Sequence, residues 1–597
     1  MSSQGANLSN NPRLMFESLI KRSQEHKWEL LVVGSIILLG IFFRTYNFSD
    51  WLLFEIDQTY DTRIVSQAID NGIGELPLLG PTAGGGRALR LGPAFYNLEY
   101  VSAFIFGNTP TGHAMLVLLF SILSLPLFYL FSRRYFDKNI SFALLSLFAC
   151  SVYLVLYGRF SWSPNVLPFL ILLGFYALLR SVSALETTRD RYFILATVAI
   201  TIASQIHFNA FFTLPTITVL FLLYKRPHFS YKTWILALAI IALVYSPMVV
   251  NDVVTNGENV SLFIKKVAKG GSTSPFKDVV RKTMVDLQYT ASNYFFINSG
   301  IDRINGGRLK EYGLQSNANL PWRILALALF LAELFYLFRK IPKEGIPERR
   351  DFLVLLTLWV LVPFAYFYSL ISSNFQIYPR FFLLVAPAAI LLFGILLETM
   401  TSEKNKYRLS TLITILCLLL IPNLVRITTH FFQLAYPAES RTEVETEDIF
   451  PNNKRLTLSE QLAITDYLFE KQQQNGYPLY FDAIHEYEPV FWYHLTRRGV
   501  SYHSNIDESF LYANGNYFRI KFTGSGSVGQ ALRDSFNVSN EKDFGILTVY
   551  TLEPKPEKIK VLQQDHTTKK SLEQTEQIQD LRTWNDLPVM FPNRNRY

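Results

Sequence analysis

The sequence predicts a mainly α protein: a polytopic transmembrane helical bundle of about eleven spans, followed by a small extracytoplasmic α/β domain at the C-terminus. Three observations point there. Half of the 597 residues are hydrophobic and only 17% are charged, against roughly a quarter charged in a soluble domain, so lipid must replace water over much of the surface. Nearly all the long apolar runs lie between residues 28 and 425, whereas residues 429–597 are rich in Asn, Gln, Glu and Lys. Lys and Arg cluster in every second connection between the runs, which is the bias that orients membrane proteins.

In chain order, residues 1–27 form a cytoplasmic segment with Lys21, Arg22 and Lys27 near its end. The first apolar run, 30–43, lacks a small-residue cleavage site and is followed by many more, so it reads as a signal anchor. Runs fit to cross a bilayer cover 28–48, 112–131, 140–157, 164–180, 191–206, 208–224, 232–250, 320–338, 352–373, 380–398 and 409–427. Basic clusters follow the second (Arg133, Arg134, Lys138), fourth (Arg180, Arg189, Arg191), sixth (Lys225, Arg226, Lys232), eighth (Arg339, Lys340, Lys343, Arg349, Arg350) and tenth (Lys404, Lys406, Arg408). The membrane domain therefore runs from 28 to 428, with loops 44–111 and 251–319 and the tail 429–597 facing outward. Residues 192–224 carry no formal charge apart from a protonated His207, and read either as two spans or as one re-entrant unit.

Loop 251–319 is basic at Lys265, Lys266, Lys269, Lys277, Arg281 and Lys282. It reads as an amphipathic helix on anionic headgroups, or as a site drawing in a phosphorylated lipid. In the tail, Thr457 and Glu460 form a capping box ahead of a helix to about residue 474. Residues 477–483, 517–523 and 545–552 read as strands and 489–498 as a helix. The net charge of +8 is dispersed in short clusters, so no nucleic-acid partner is expected. Cys150 and Cys417 sit in separate apolar runs, which excludes a disulfide framework and a cysteine metal site.

Chemistry is suggested first by Trp51-Leu-Leu-Phe-Glu-Ile-Asp57-Gln58-Thr-Tyr-Asp61-Thr-Arg63. Asp57 and Asp61 share a face if this segment is helical. Two carboxylates beside lipid raise one pKa and Arg63 would lower it, which is how a general base is tuned. The plainer reading makes Asp57 a helix N-cap. Next come Gly80-Pro81, a glycine triplet at 84–86 with Arg87, and Leu91-Gly92-Pro93-Ala-Phe-Tyr96. Glycines of this kind admit an anion to the backbone or simply make a flexible loop. Glu333 lies within a span, near its cytoplasmic end, and reads as interfacial or paired.

Taken together, a first span, an outer loop with Asp-Gln and a second acid, a Leu-Gly-Pro-x-x-Tyr element, many further spans and an outward C-terminal domain resemble the GT-C membrane glycosyltransferases. The bacterial branch of the protein mannosyltransferase and aminoarabinose transferase group is the most similar. The resemblance implies transfer of a sugar from a polyprenyl-phosphate carrier to a lipid, protein or glycan hydroxyl on the outer face of a bacterial plasma membrane. It implies that Asp57 is the acidic catalytic residue, acting as general base, with Gln58 where the group often has Glu. Arg159 and Asn165, in Tyr157-Gly-Arg159-Phe-Ser-Trp-Ser-Pro164-Asn165, stand where the group carries Arg and Pro-Asp. His207, in Gln205-Ile-His207-Phe-Asn209, and Tyr378 with Arg380, in Tyr378-Pro-Arg380-Phe-Phe, resemble positions that hold the lipid phosphate. Asp61 and Arg63 complete the expected substrate-binding set.

On this reading Asp57 accepts the acceptor proton and configuration is inverted. No cofactor is required, and a divalent metal is conceivable but not indicated by Glu55, Asp57 and Asp61 alone. Two rival readings are a secondary transporter and a non-catalytic membrane assembly protein. Charged residues gathered at the outer interface and the absence of a visible repeat weigh against the transporter.

Overall fold

The computed structural model describes residues 12–82, 89–183, 187–268, 276–301, 320–372, 377–401, 407–436, 455–504, 506, 511–525, 528–561 and 581–587. The glycine triplet at 84–86, Arg87, Lys269, Lys404 and Lys406 lie outside them.

The helices run α1 (Pro12–Thr45), α2 (Ile56–Asn71), α3 (Ala94–Phe106), α4 (Pro110–Tyr135), α5 (Lys138–Cys150), α6 (Val152–Tyr157), α7 (Leu167–Val182), α8 (Arg189–Ile206), α9 (Phe208–Lys225), α10 (Tyr231–Val254), α11 (Glu258–Ala268), α12 (Phe276–Ser299), α13 (Leu320–Lys340), α14 (Pro347–Ser372), α15 (Ala386–Met400) and α16 (Arg408–Ala435). Every predicted span is helical, although the third and the tenth are each built from two consecutive helical pieces. Among the described residues, seven helices are long and apolar enough to cross a membrane unaided: those at Lys27–Thr45, Pro110–Tyr135, Ser163–Val182, Phe208–Lys225, Tyr231–Val254, Pro347–Leu370 and Arg408–Ala435. The chain is thus an integral membrane protein. α15 is short, and every residue from Ala386 to Leu397 is buried, so protein rather than lipid surrounds it.

Ion pairs and hydrogen bonds fix the two ends of the bundle. Glu29 accepts from Tyr129 and pairs with Arg133 at 3.1 Å. Asp137 pairs with Arg408, Lys225 with Asp351 at 2.5 Å, and Glu398 with both Lys340 and Arg349. Asp190 accepts from Thr233 at 2.8 Å. All these groups belong to the connections with basic clusters, so those connections share one end. The 192–224 run is two helices meeting at His207, which is extended (φ −144°, ψ 140°), and not a single unbroken unit.

Two further differences from the sequence reading matter. The third span breaks at Ser151 between α5 and α6. The backbone N–H of Val152 finds the Asn423 Oδ1 at 2.8 Å, while the Ser151 hydroxyl donates to the Ile297 carbonyl at 2.7 Å, so the break stays hydrogen-bonded. Loop 251–319 does not simply rest on headgroups: the second half of α12 is buried in the bundle, where Tyr294 packs on Phe330 and Asn423 donates to the Asn298 carbonyl. Lys265 and Arg281 remain exposed.

The tail adds α17 (Leu458–Asn475), β1 (Leu479–Asp482), α18 (Glu488–Arg497), β2 (Tyr502–Ser504), β3 (Leu511–Tyr512), β4 (Asn516–Phe522), α19 (Gln530–Ser535), β5 (Phe536–Phe544), β6 (Leu547–Pro554) and β7 (Ile559–Val561). The expected capping box opens α17: Glu460 accepts from the Thr457 N–H at 2.8 Å. A five-stranded sheet has the order β2-β1-β4-β6-β5, with β1 parallel to both neighbours and the remaining pairs antiparallel; β3 and β7 form a separate parallel pair.

This unit leans on the loop after α1. Arg455 donates to the Trp51 carbonyl at 2.6 Å, and Gln461 to that of Phe54 at 2.8 Å. Arg497 pairs with Asp70. Leu581 joins Ile64, Val65, Phe95 and Tyr96 in one apolar cluster, and the Leu78 N–H donates to the Arg582 carbonyl at 2.8 Å.

Candidate active site

α2 begins with Glu55, not Asp57, as its N-cap: the Gln58 side chain accepts the Glu55 N–H at 3.1 Å. That leaves Asp57 in the first turn without a capping duty. Asp57 is exposed and makes no hydrogen bond among the described residues, although protein surrounds it at longer range. The enclosure raises its pKa above the usual carboxylate value, and the charge of Arg380 moderates the rise. Arg63 was the expected moderator. It lies instead near Tyr60 and Tyr502, on the side facing the tail domain.

Asp61 shares the helix but is buried, and accepts from the Tyr96 hydroxyl at 3.0 Å. Burial, then Glu99 and Asp57, hold its carboxyl well above the ordinary range. Glu99 itself is buried, accepts from Ser161 at 3.0 Å and lies 3.4 Å from His113. The sequence reading passed over Glu99, which follows Tyr96 by three residues and so sits one helical turn further along the same element.

Arg380 is held on the segment Pro379–Leu384, a 3-10 helix. Three buried donors fix that segment: Tyr289 to the Ile377 carbonyl at 3.0 Å, Tyr153 to that of Pro379 at 2.7 Å, and Trp359 to that of Leu384 at 2.9 Å. The guanidinium lies over Tyr378 at 4.3 Å and Trp162 at 4.7 Å. Ring faces hold a cation without using its N–H groups, and among the described residues Arg380 makes no hydrogen bond or ion pair. Its donors therefore remain for an anion. Trp162 carried no signal of its own in the sequence beyond its place in the Arg159 segment.

His207 packs edge-on against Phe381 at 5.3 Å, and its Nδ1 accepts the Asn209 N–H at 3.3 Å. Burial and the nearby Arg380 push its pKa down to about 3, so the ring is neutral. An accepting Nδ1 leaves the proton on Nε2, a second donor beside Arg380. Asp57, His207, Tyr378 and Arg380 are thus brought together at one end of the bundle.

Two expected substrate groups are placed elsewhere. Arg159 is buried, and it donates to the carbonyls of Phe43 and Arg44, each at 2.9 Å, and of Tyr46 at 2.7 Å. It caps the C-terminus of α1, where a cation offsets the helix dipole. Arg159, one of the expected substrate-binding residues, thus spends its guanidinium on helix-end carbonyls. Asn165 is buried and donates to the Phe160 carbonyl at 2.9 Å. Its Oδ1, without a partner among the described residues, lines a cavity of ≈ 10 Å³ beside Arg44 and Ser121, with room for about one water molecule. Neither placement resembles a sugar contact.

The remaining motifs form a frame. The Gly80 N–H donates to the Leu91 carbonyl at 2.8 Å, Thr82 bridges Arg90, and a Cβ on Gly80 would lie 2.1 Å from the Gly92 carbonyl oxygen. Gly92 in turn abuts Gln205, two residues before His207. Asn259 on α11 clasps the Arg90 backbone, accepting at 3.0 Å and donating at 3.1 Å. Among the described residues no three His, Cys, Asp or Glu side chains converge as a metal site.

Residues 92–250 match the family described as dolichyl-phosphate-mannose-protein mannosyltransferase. No curated protein sequence matches. Two solved structures are similar: ArnT from Cupriavidus metallidurans in the apo state, at 12% identity and a TM-score of 0.50 over 88% of this chain and 98% of that one; and the same enzyme bound to undecaprenyl phosphate, at 12% identity and a TM-score of 0.47 over 90% and 99%. The chain has the fold of a GT-C membrane glycosyltransferase and is similar to the protein mannosyltransferase and ArnT group.

Proposed function

We propose that the chain is an inverting glycosyltransferase that moves a sugar from a polyprenyl-phosphate carrier to an acceptor hydroxyl on the extracytoplasmic face. The observation that supports this most is an exposed, unbonded Asp57 carboxylate within electrostatic reach of an Arg380 whose N–H groups are unspent. Asp57 takes the acceptor proton as the hydroxyl oxygen bonds to the anomeric carbon. The bond from that carbon to the phosphate oxygen breaks on the opposite face, and the electron pair leaves with the lipid phosphate. Arg380 and the Nε2–H of His207 stabilise the departing charge, in a setting where positioning and electrostatics supply most of the acceleration. Phosphate is already a good leaving group, so no metal enters this reading.

Asp57→Asn keeps size and shape. Transfer from a radiolabelled polyprenyl-phospho-sugar falls by about 10²–10⁴-fold, with the melting temperature unchanged because Asp57 bonds to nothing that the variant would release. Transfer at the wild-type rate removes Asp57 as the base. The wild-type rate also declines as pH falls through the raised pKa of Asp57, because a protonated carboxyl accepts no proton.

A further inference from the structure

The accessible part of α2 is a narrow row. Gln58, Thr59, Asp61, Thr62, Ile64, Val65 and Ser66 are buried, whereas Asp57, Tyr60 and Arg63 are not. Positions three apart are neighbours along one side of a helix. The row therefore starts at the proposed base and runs toward the tail domain.

There it meets partly buried side chains from two other elements. Tyr502 on β2 interacts electrostatically with Arg63 and with Glu488, and Glu488 and Trp492 are one turn apart on α18. The Glu488 Oε1 and the Trp492 Nε1 are buried without a hydrogen-bond partner among the described residues. Burial raises the Glu488 carboxyl to about 7, in keeping with a group short of polar company. Tyr502 and Trp492 pack one side against the apolar core, Tyr502 lying 5.8 Å from Phe481, and keep part of their rings accessible, while the Arg497–Asp70 ion pair holds α18 against α2 beside them.

We infer that this strip, from Asp57 through Tyr60 and Arg63 to Tyr502, Glu488 and Trp492, is the acceptor site and that it takes a saccharide, so the attacked hydroxyl belongs to a glycan. The inference rests on the transferase reading above. Aromatic rings offer flat amphipathic faces for the C–H side of a pyranose at little conformational cost. A carboxyl and a guanidinium beside them match the outward hydroxyls, and Arg63 also suits an anionic substituent. An extended peptide would be read through main-chain hydrogen bonds to a sheet edge. β2 is such an edge, but it is three residues long, and the side-chain set favours a sugar.

The test uses the full chain in detergent, with immobilised oligosaccharides, immobilised Ser/Thr peptides and a polyprenyl phosphate as three probes. The expected result is oligosaccharide capture that weakens at least tenfold in Trp492→Ala and in Glu488→Gln, with polyprenyl-phosphate binding unchanged. Glu488→Gln preserves shape, so it carries the result should Trp492→Ala fail to fold. Capture of peptides without oligosaccharides overturns the inference, and so does oligosaccharide binding equal to wild type in Glu488→Gln. Wild-type protein that ignores polyprenyl phosphate yet binds oligosaccharide in the mutant-sensitive way removes the donor assignment and leaves the strip standing.

Discussion

Glu55 and Asp57 are two positions apart and meet opposite fates. Glu55 caps α2, accepts from the Tyr487 hydroxyl at 3.2 Å and is driven up to about 7, first by burial, with Arg455 and Tyr487 opposing and Asp57 adding to the rise. A carboxyl raised from its ordinary 4.5 ionises less readily in the folded chain than in the unfolded one, so stability is lost as pH rises between about 4.5 and about 7. Glu55→Gln removes that loss: its melting temperature should exceed wild type at pH 8 and equal it at pH 5, as read by thermal unfolding in detergent. Sequence could place acids in this segment but not decide which one capped the helix. It was equally blind to the difference between Arg159 and Arg380. Both are cations in short connections between apolar runs, and only the three-dimensional neighbours, helix-end carbonyls for one and aromatic faces for the other, separate a brace from a candidate anion site.

Among elements, long apolar runs were the most legible, because the cost of unsatisfied backbone in lipid leaves helix as the only choice for such a run. α12 escaped because its polar residues, Asp286, Thr290, Asn293 and Asn298, conceal a buried face that only the surrounding helices reveal. β5 escaped because 537–543 is almost wholly exposed, so alternation of apolar and polar residues is missing from an edge strand paired only to β6. Gly80 and Gly92 were visible in the sequence only as turn formers. The reason for Gly80 is contact: it touches the Gly92 backbone, which has no rotamer with which to yield. Gly80→Ala should therefore destabilise by about 1–3 kcal/mol, in the range for forced overpacking, and lower transfer further than the loss of folded protein explains. Thermal unfolding beside specific activity checks both.

At the scale of the whole molecule, alternating connections gather at opposite ends, and the one with basic clusters is stitched by Asp137–Arg408, Lys225–Asp351 and Glu398 with its two partners. Short cytoplasmic loops carry such excess positive charge, so the tail domain should lie outside. Glu557 is exposed, and E557C should react with a membrane-impermeant thiol reagent in intact spheroplasts and not in inverted vesicles, with the parent chain as the background. The sequence forecast two separate regions. What it could not forecast is how closely they join, since the partners stand far apart in the chain: 404 positions for Arg455 and Trp51, 432 for Tyr487 and Glu55, 427 for Arg497 and Asp70, and 510 for Asn585 and Glu75. These spacings order events during synthesis. The segment around Asp57 is made more than four hundred residues before Arg455, Tyr487 and Arg497, the groups that clamp it, so its bracing must wait for them.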